Sequence, residues 1–156
     1  MLILSGRTNE IFSKKVCSHL NLELTKTIIT NFHDGEIKIN IDKSVRNKDC
    51  YIIQPTCRHD KGSVNDSLIE LFILVDALKR GSAKTVNIVM PYFGYQRQDR
   101  KDNSRVPISA AVIANCLESL NINRMIVFDL HAGQLSGFFS NNCPVDNLYS
   151  QNYFLQ

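Results

Sequence analysis

A run of cations broken by carboxylates marks residues 91–107. There Arg97, Arg100, Lys101 and Arg105 are interspersed with Asp99 and Asp102 and preceded by the amides of Gln96 and Gln98. Guanidinium forks hold phosphate oxygens, and carboxylates hold a divalent metal or its waters. The mixture therefore suits a metal-bound polyphosphate. A solvated charged loop is the plainer alternative, and the position argues against it. The apolar run 86–90 reads as a buried strand leading into the loop. A helix-periodic segment leaves it at Pro107, a residue favoured at the first helical position. Ligands of open α/β sheets bind at the carboxyl ends of strands.

Two smaller constellations accompany the loop. Asp129-Leu130-His131 closes the apolar stretch 124–129. Residues two apart on a strand face one side, so Asp129 and His131 can address one metal or phosphate together. The alternative is a strand ending on a polar residue, with a histidine that caps the next turn. Phe32-His33-Asp34-Gly35-Glu36 places a ring and two carboxylates in one turn. An exposed ring can stack on a base, and a carboxylate can accept from an exocyclic amine. Composition alone favours the plainer reading, a hairpin loop with Phe32 buried. A GxxxxGK[ST] loop, a GxGxxG fingerprint and a GxSxG elbow are all missing, so none of those sites is supported. His59 reads as solvated, and Cys57 beside Arg58 has no evident partner base.

These residues need elements to position them. Residues 2–4 read as a strand. A helix over about 9–20 should bury Ile11, Phe12, Val16 and Leu20, with His19 on the same side. The β-branched run 24–30 and the strictly alternating run 36–41 read as strands joined through Gly35. Residues 50–54 form another strand. Val64, Leu68, Leu71, Phe72, Val75 and Leu78 then recur at helical spacing. Ser63 and Asp66 form a capping box at the start of this helix, and Gly81 stops it. A further helix runs from Pro107 to about Leu120. The order predicts an α/β fold: a mostly parallel sheet with helices on both faces, and an antiparallel edge or hairpin around 36–41. Residues 1–146 read as one domain, and 147–156 as the start of a helix leading to a second.

The chain has 156 residues, 44% of them hydrophobic, which suits one domain with a real core. A formal net charge of +3 is too weak to imply nucleic acid. No apolar run is long enough to span a bilayer, and the N-terminus lacks the basic region of a signal peptide. The five cysteines include no CxxC pair. Cys17, Cys50 and Cys116 lie in apolar stretches and suit a reducing, cytoplasmic setting.

Taken together, the segments resemble the ribose-phosphate pyrophosphokinase family. The matching pieces are Phe32-His33-Asp34-Gly35-Glu36, then Arg97-Gln98-Asp99-Arg100-Lys101-Asp102 with Ser104-Arg105 and Pro107-Ile108-Ser109-Ala110. Asp129-Leu130-His131-Ala132 with Gln134 and Gly137-Phe138-Phe139 follows, then Pro144-Val145-Asp146-Asn147-Leu148-Tyr149. They keep the family's order across nearly the whole chain. The resemblance implies the first of two α/β domains related to type I phosphoribosyltransferases. It implies transfer of diphosphate from Mg-ATP to the 1-hydroxyl of ribose 5-phosphate, with Mg2+ as cofactor. By the same resemblance Phe32 stacks on adenine, with Asp34 and Glu36 binding the base from a neighbouring subunit of a homo-oligomer. Arg97 and Gln98 contact ATP, and Asp102 shapes that site. His131 sits at the triphosphate and its magnesium, with Asp129 beside it. The family's ribose 5-phosphate loop and its basic catalytic loop have no counterpart here, so no catalytic residue is assigned to this half and the chain alone is expected to be inactive. Residues 140–143 depart from the family's shorter connection. The alternative is a non-catalytic regulatory or assembly partner of a full-length synthetase; neither nucleic acid nor a membrane is expected as a partner.

Overall fold

The computed structural model describes residues 1–60 and 62–155. Gln156, the end of the expected terminal helix, lies outside them. Five strands form one parallel sheet: β1 (Leu2–Ser5), β4 (Asp49–Ile53), β5 (Thr85–Met90), β6 (Arg124–Phe128) and β7 (Val145–Leu148), in that spatial order. Between β1 and β4 the chain makes α1 (Glu10–His19) and an antiparallel hairpin, β2 (Thr27–Asn31) and β3 (Ile37–Ile41). The hairpin is a sheet of its own rather than an edge of the main one. α2 (Val64–Arg80) joins β4 to β5, and α3 (Ser109–Ser119) joins β5 to β6.

Strand alternation assigns the two faces. Leu4, Ile52, Ile88 and Met125 share one core with Leu71, Leu74 and Leu78 of α2 and Leu117 of α3. Ile29, Ile39 and Ile41 of the hairpin pack against the same core. Ile3 and Ile53 point the other way and pack with Cys17 of α1, beside Phe12, Val16 and Val89. The sheet is thus covered from both sides, as expected, by one helix on one face and two on the other.

Several elements differ from the sequence expectation. α1 buries Ser13 and Cys17, while Ile11 is 71% exposed and His19 and Leu20 face solvent. Asn9 starts the helix by accepting from the Phe12 N–H at 3.0 Å, and the Ser5 and Ser13 hydroxyls bond at 2.8 Å. Those polar contacts turn the Ser13–Cys17 stripe inward. The run 24–30 is not one strand. Leu24 bridges to Ile3, and the Thr25 N–H donates to the Ile3 carbonyl at 2.8 Å, before β2 begins. Pro107 lies outside α3, which starts at Ser109. Cys116 is exposed, whereas Cys143 is buried and burial pushes its thiol up to about 11. His59 is half-buried, with its backbone paired to Gly62.

Residues 145–148, expected as part of a helix or its approach, form the edge strand β7 instead. Its backbone pairs with β6 from Met125↔Val145 to Phe128↔Leu148. A four-residue helix, α4 (Gln151–Phe154), follows. No helix among the described residues is long and apolar enough to cross a membrane.

α2 begins as the sequence expects. Ser63 accepts from the Asp66 N–H, and the Asp66 carboxylate accepts from the Ser63 N–H at 2.7 Å. Gly81 ends it with an ordinary φ of −72°, and the left-handed residue is Ser82 at φ 61°. The glycine is needed for space, because a Cβ there would lie 2.5 Å from Val45 Cγ2.

The Ser63 backbone and hydroxyl hold the Asp66 carboxyl below its usual range. A carboxyl depressed in the folded state contributes stability above its unfolded pKa and loses it as pH falls through the folded one. Replacing Ser63→Ala should cost about 1 kcal/mol near neutral pH. The difference should shrink as the medium is acidified below the carboxylate range, read from urea unfolding midpoints across the pH series. A deficit independent of pH would show that Asp66 plays no part in the cap.

Candidate functional site

The strand order advances from β1 through β4, β5 and β6 to β7 without reversal. The candidate site therefore does not lie at a topological switch point. It is built by the loop 91–108, which leaves the carboxyl end of β5, and by residues 129–132, which leave the adjacent β6. Together they enclose a cleft of about 340 Å³ lined by Arg97, Gln98, Asp99, Arg100, Asp102, His131, Ala132 and Gln134. The structure thus brings together four expected site residues, Arg97, Gln98, Asp102 and His131.

Three anchors shape the loop. Thr56, fully buried after β4, accepts from the Gly94 N–H at 2.7 Å and donates to the Tyr92 carbonyl at 3.0 Å. Gly94 must approach closely, since a Cβ would lie 2.6 Å from the Thr56 carbonyl oxygen. Gln96 is buried and accepts from the His131 N–H at 2.9 Å, tying the two loops together. The Gln134 amide donates to Asp99 at 2.9 Å and makes a second tie.

Gln98 has a structural task that its sequence position did not announce. Its side-chain oxygen accepts from the Ser109 hydroxyl at 2.6 Å, and its carbonyl accepts from the Ala110 N–H at 3.1 Å. The N-cap residue of α3, Ile108, offers no side-chain bond. Gln98 thus satisfies one hydroxyl and one backbone N–H at the start of the helix, and it also lines the cleft. Thr56 is the contributor that the sequence did not single out, whereas Gln96 and Asp99 stood among the polar residues of the loop. A polar residue inside an aromatic, glycine-bearing run was the signal for Gln96, and Thr56 gave none.

Asp129 and His131 do not face one ligand. Asp129 takes φ 46°, so strand alternation stops at Phe128. Its carboxylate accepts from the Ser150 N–H at 3.0 Å, and hydrogen bonding from the Ser150 side chain and backbone holds it below the usual carboxylate range. Asp129 does not line the cleft, whereas His131 does. Among the described residues no group of three or more His, Cys, Asp or Glu side chains is placed to hold a metal. The donors that do line the cleft, His131, Asp99 and Asp102, fit a magnesium that keeps its waters and arrives on phosphate oxygens, not a closed protein cage.

The third constellation stands apart. Phe32, Asp34 and Glu36 form the hairpin tip and line none of this cleft. Phe32 is 51% exposed, against the buried ring that composition favoured, and Lys38 Nζ lies 5.6 Å from its centroid. Gly35 takes φ 96°, and Asp34 Oδ1 accepts from the Glu36 N–H at 3.2 Å. The ring and both carboxylates are exposed.

The family model for the N-terminal domain of ribose phosphate pyrophosphokinase matches residues 1–120. A ribose-phosphate pyrophosphokinase of Helicobacter pylori (strain ATCC 700392 / 26695) is 52% identical over 152 residues, 97% of this chain and 46% of that protein. One from Bacillus subtilis (strain 168) is 49% identical over 146 residues, 94% of this chain and 44% of that protein. The chain thus spans about half the length of the curated relatives it matches. The crystal structure of phosphoribosylpyrophosphate synthetase from Mycobacterium smegmatis superposes with a TM-score of 0.91 at 35% identity, covering 98% of this chain and 49% of that one.

Thr56→Val keeps the side-chain shape and removes both hydroxyl bonds, leaving the buried Gly94 N–H without its acceptor. Unfolding stability should fall by about 1–3 kcal/mol. Amide exchange at 92–98 should rise while α2 stays protected, as read by hydrogen exchange. Unchanged exchange there would mean that the loop is held from its other end.

Proposed function

Because the chain belongs to the ribose phosphate pyrophosphokinase family, we propose that it is the ATP-holding part of an enzyme that transfers diphosphate from Mg-ATP to the 1-hydroxyl of ribose 5-phosphate. One observation carries this reading: a polar cleft at the carboxyl ends of β5 and β6, where the two cations Arg97 and Arg100 stand with His131 and the carboxylates Asp99 and Asp102. Arg97 and Arg100 are exposed and hold phosphate oxygens by charge-assisted bonds. Gln98 adds its amide nitrogen, and His131, pinned through its backbone by Gln96, faces the same oxygens. Asp102 orients the cations and, with Asp99, accepts from metal-bound water. Magnesium, when bound, supplies charge neutralisation on the polyphosphate, with His131 as its protein contact and Asp129 in support at the strand end.

Transfer of this kind needs positioning and charge stabilisation more than covalent chemistry. The residues in this half supply the grip on the nucleotide. The ribose 5-phosphate grip and the catalytic basic loop belong to the other half of such proteins. Phe32, Asp34 and Glu36 hold adenine, and their outward exposure favours a base bound across a subunit boundary in a homo-oligomer. All five cysteines are free, which favours a reducing, cytoplasmic setting.

Purified chain incubated with Mg-ATP and ribose 5-phosphate should give no phosphoribosyl pyrophosphate and no AMP by phosphorus NMR, while still binding ATP. Arg97→Ala should weaken that binding roughly tenfold, the loss of one charge-assisted contact. Binding should also weaken as ionic strength rises. Product from the chain alone would place the transfer chemistry within these residues. Unaltered ATP affinity in Arg97→Ala would remove this cleft from nucleotide binding.

A further inference from the structure

Asn31 is the last residue of β2 and stands immediately before Phe32. Its side chain makes two bonds in opposite directions. Asn31 Oδ1 accepts from Arg7 Nη1 at 2.6 Å, and Asn31 Nδ2 donates to the Gly35 carbonyl at 2.6 Å. The second bond spans the mouth of the 32–36 turn, where the Phe32 N–H also donates to the Glu36 carbonyl at 2.8 Å. Arg7 follows β1, and its Nε donates to Glu70 Oε2 at 2.6 Å. Glu70 lies on α2 with its side chain 1% exposed. The Arg7 N–H, at 2.7 Å, and the Gln54 amide, at 3.1 Å, both donate to Glu70 Oε1.

These contacts form one connected path from the buried carboxylate of Glu70, through the Arg7 guanidinium, to the amide of Asn31 and the Gly35 carbonyl. A two-stranded hairpin alone is marginally stable. The inner end of this path is fixed by burial. Its outer end grips the turn at the residue that precedes Phe32. The guanidinium reaches the two partners through separate nitrogens, Nε and Nη1, a fixed span that the single nitrogen of a lysine does not offer.

We propose that Arg7 and Asn31, anchored by Glu70, are positioning residues that set the conformation of the 32–36 turn and thereby the affinity for the base of the bound nucleotide. This rests on the reading of Phe32, Asp34 and Glu36 as the adenine grip. The path touches no residue of the polar cleft, so it acts on the base and not on the polyphosphate.

The experiment compares full-length wild-type chain with Asn31→Ala, Asn31→Asp, Arg7→Lys and Phe32→Ala. Amide exchange is followed across 32–36, and affinity is measured for ATP and for inorganic tripolyphosphate, which has no base. Asn31→Ala should speed exchange at the turn and weaken ATP roughly tenfold, the scale of a lost bond to a charged partner. Tripolyphosphate affinity and exchange in α2 should not move. Arg7→Lys should behave likewise. Asn31→Asp keeps the acceptor for Arg7 and loses the donor for Gly35, so it should fall between. Unchanged exchange in Asn31→Ala overturns the proposal. So does faster exchange with ATP affinity intact when Phe32→Ala weakens ATP, or a loss of equal size for ATP and tripolyphosphate. If Phe32→Ala leaves ATP affinity unmoved, the adenine reading fails. Faster exchange in Asn31→Ala would then support positioning of the turn alone.

Discussion

A carboxylate buried to 1% exposure on α2 sets the terms for much of this molecule. Taking Glu70 out of water costs several kcal/mol unless its lone pairs are filled. Three donors fill them, from two separate pieces of chain. Arg7 follows β1, Gln54 follows β4, and the Arg7 backbone joins its own side chain on the carboxylate. Satisfying one charge therefore fixes the height of α2 against the carboxyl ends of two neighbouring strands. Gly6 completes the arrangement, because a Cβ there would lie 2.0 Å from the Gln54 side-chain oxygen. An apolar residue at position 70 would fill the volume and leave that register to packing alone.

From that fixed platform the loops divide into two kinds. The loop 91–108 is long, yet Thr56, Gln96 and the start of α3 hold it at intervals, so the cations of the cleft stand on a braced backbone. The bracing uses neutral polar groups and leaves the charges outside. Arg97, Arg100, Lys101 and Arg105 are exposed, and none of them is ion-paired among the described residues. A cation already neutralised by a protein carboxylate would have to give that partner up to bind phosphate. Here the nearest carboxylate with a side-chain partner, Asp99, is held by the neutral Gln134 amide instead.

How much of this the sequence disclosed depends on the range of the forces involved. α2 was legible because its periodicity, its capping box and its terminal glycine all agree locally. β1, β4, β5 and β6 were legible as apolar runs between turn signals. β7 was not. Val145-Asp146-Asn147-Leu148 carries little strand propensity of its own, and pairing to β6 makes it a strand. Arg124 fixes that pairing through its bond to Asp146 at 2.5 Å, a partner 22 residues away. α1 was placed correctly, and Phe12 and Val16 pack inward as expected while Ile11 and Leu20 do not, since a serine at position 13 reads as polar until Ser5 appears beside it. At the site, the loop's composition marked the segment that lines the cleft, where Arg97 and Arg100 of its four cations stand. The left-handed turn at Asp129, which parts it from His131, is a backbone choice that composition does not encode.

The separation of hairpin and cleft has a consequence for recognition. A nucleotide offers a polyphosphate, which charge can hold, and a base, which needs shape and directional bonds. Under the proposed reading, this chain puts the first task on a loop that strands and a helix brace, and the second on an exposed tip. Charge complementarity tolerates small displacements, because its energy falls slowly with distance. Stacking and hydrogen bonding to a base do not, so the tip needs more fixing than the cleft does. The tip lies on the smaller and less buried of the two sheets. It nonetheless receives a line of hydrogen bonds that starts at the most deeply buried charge described, Glu70. Stiffness is thus delivered to the place where local structure supplies least of it and where recognition of a base would demand most.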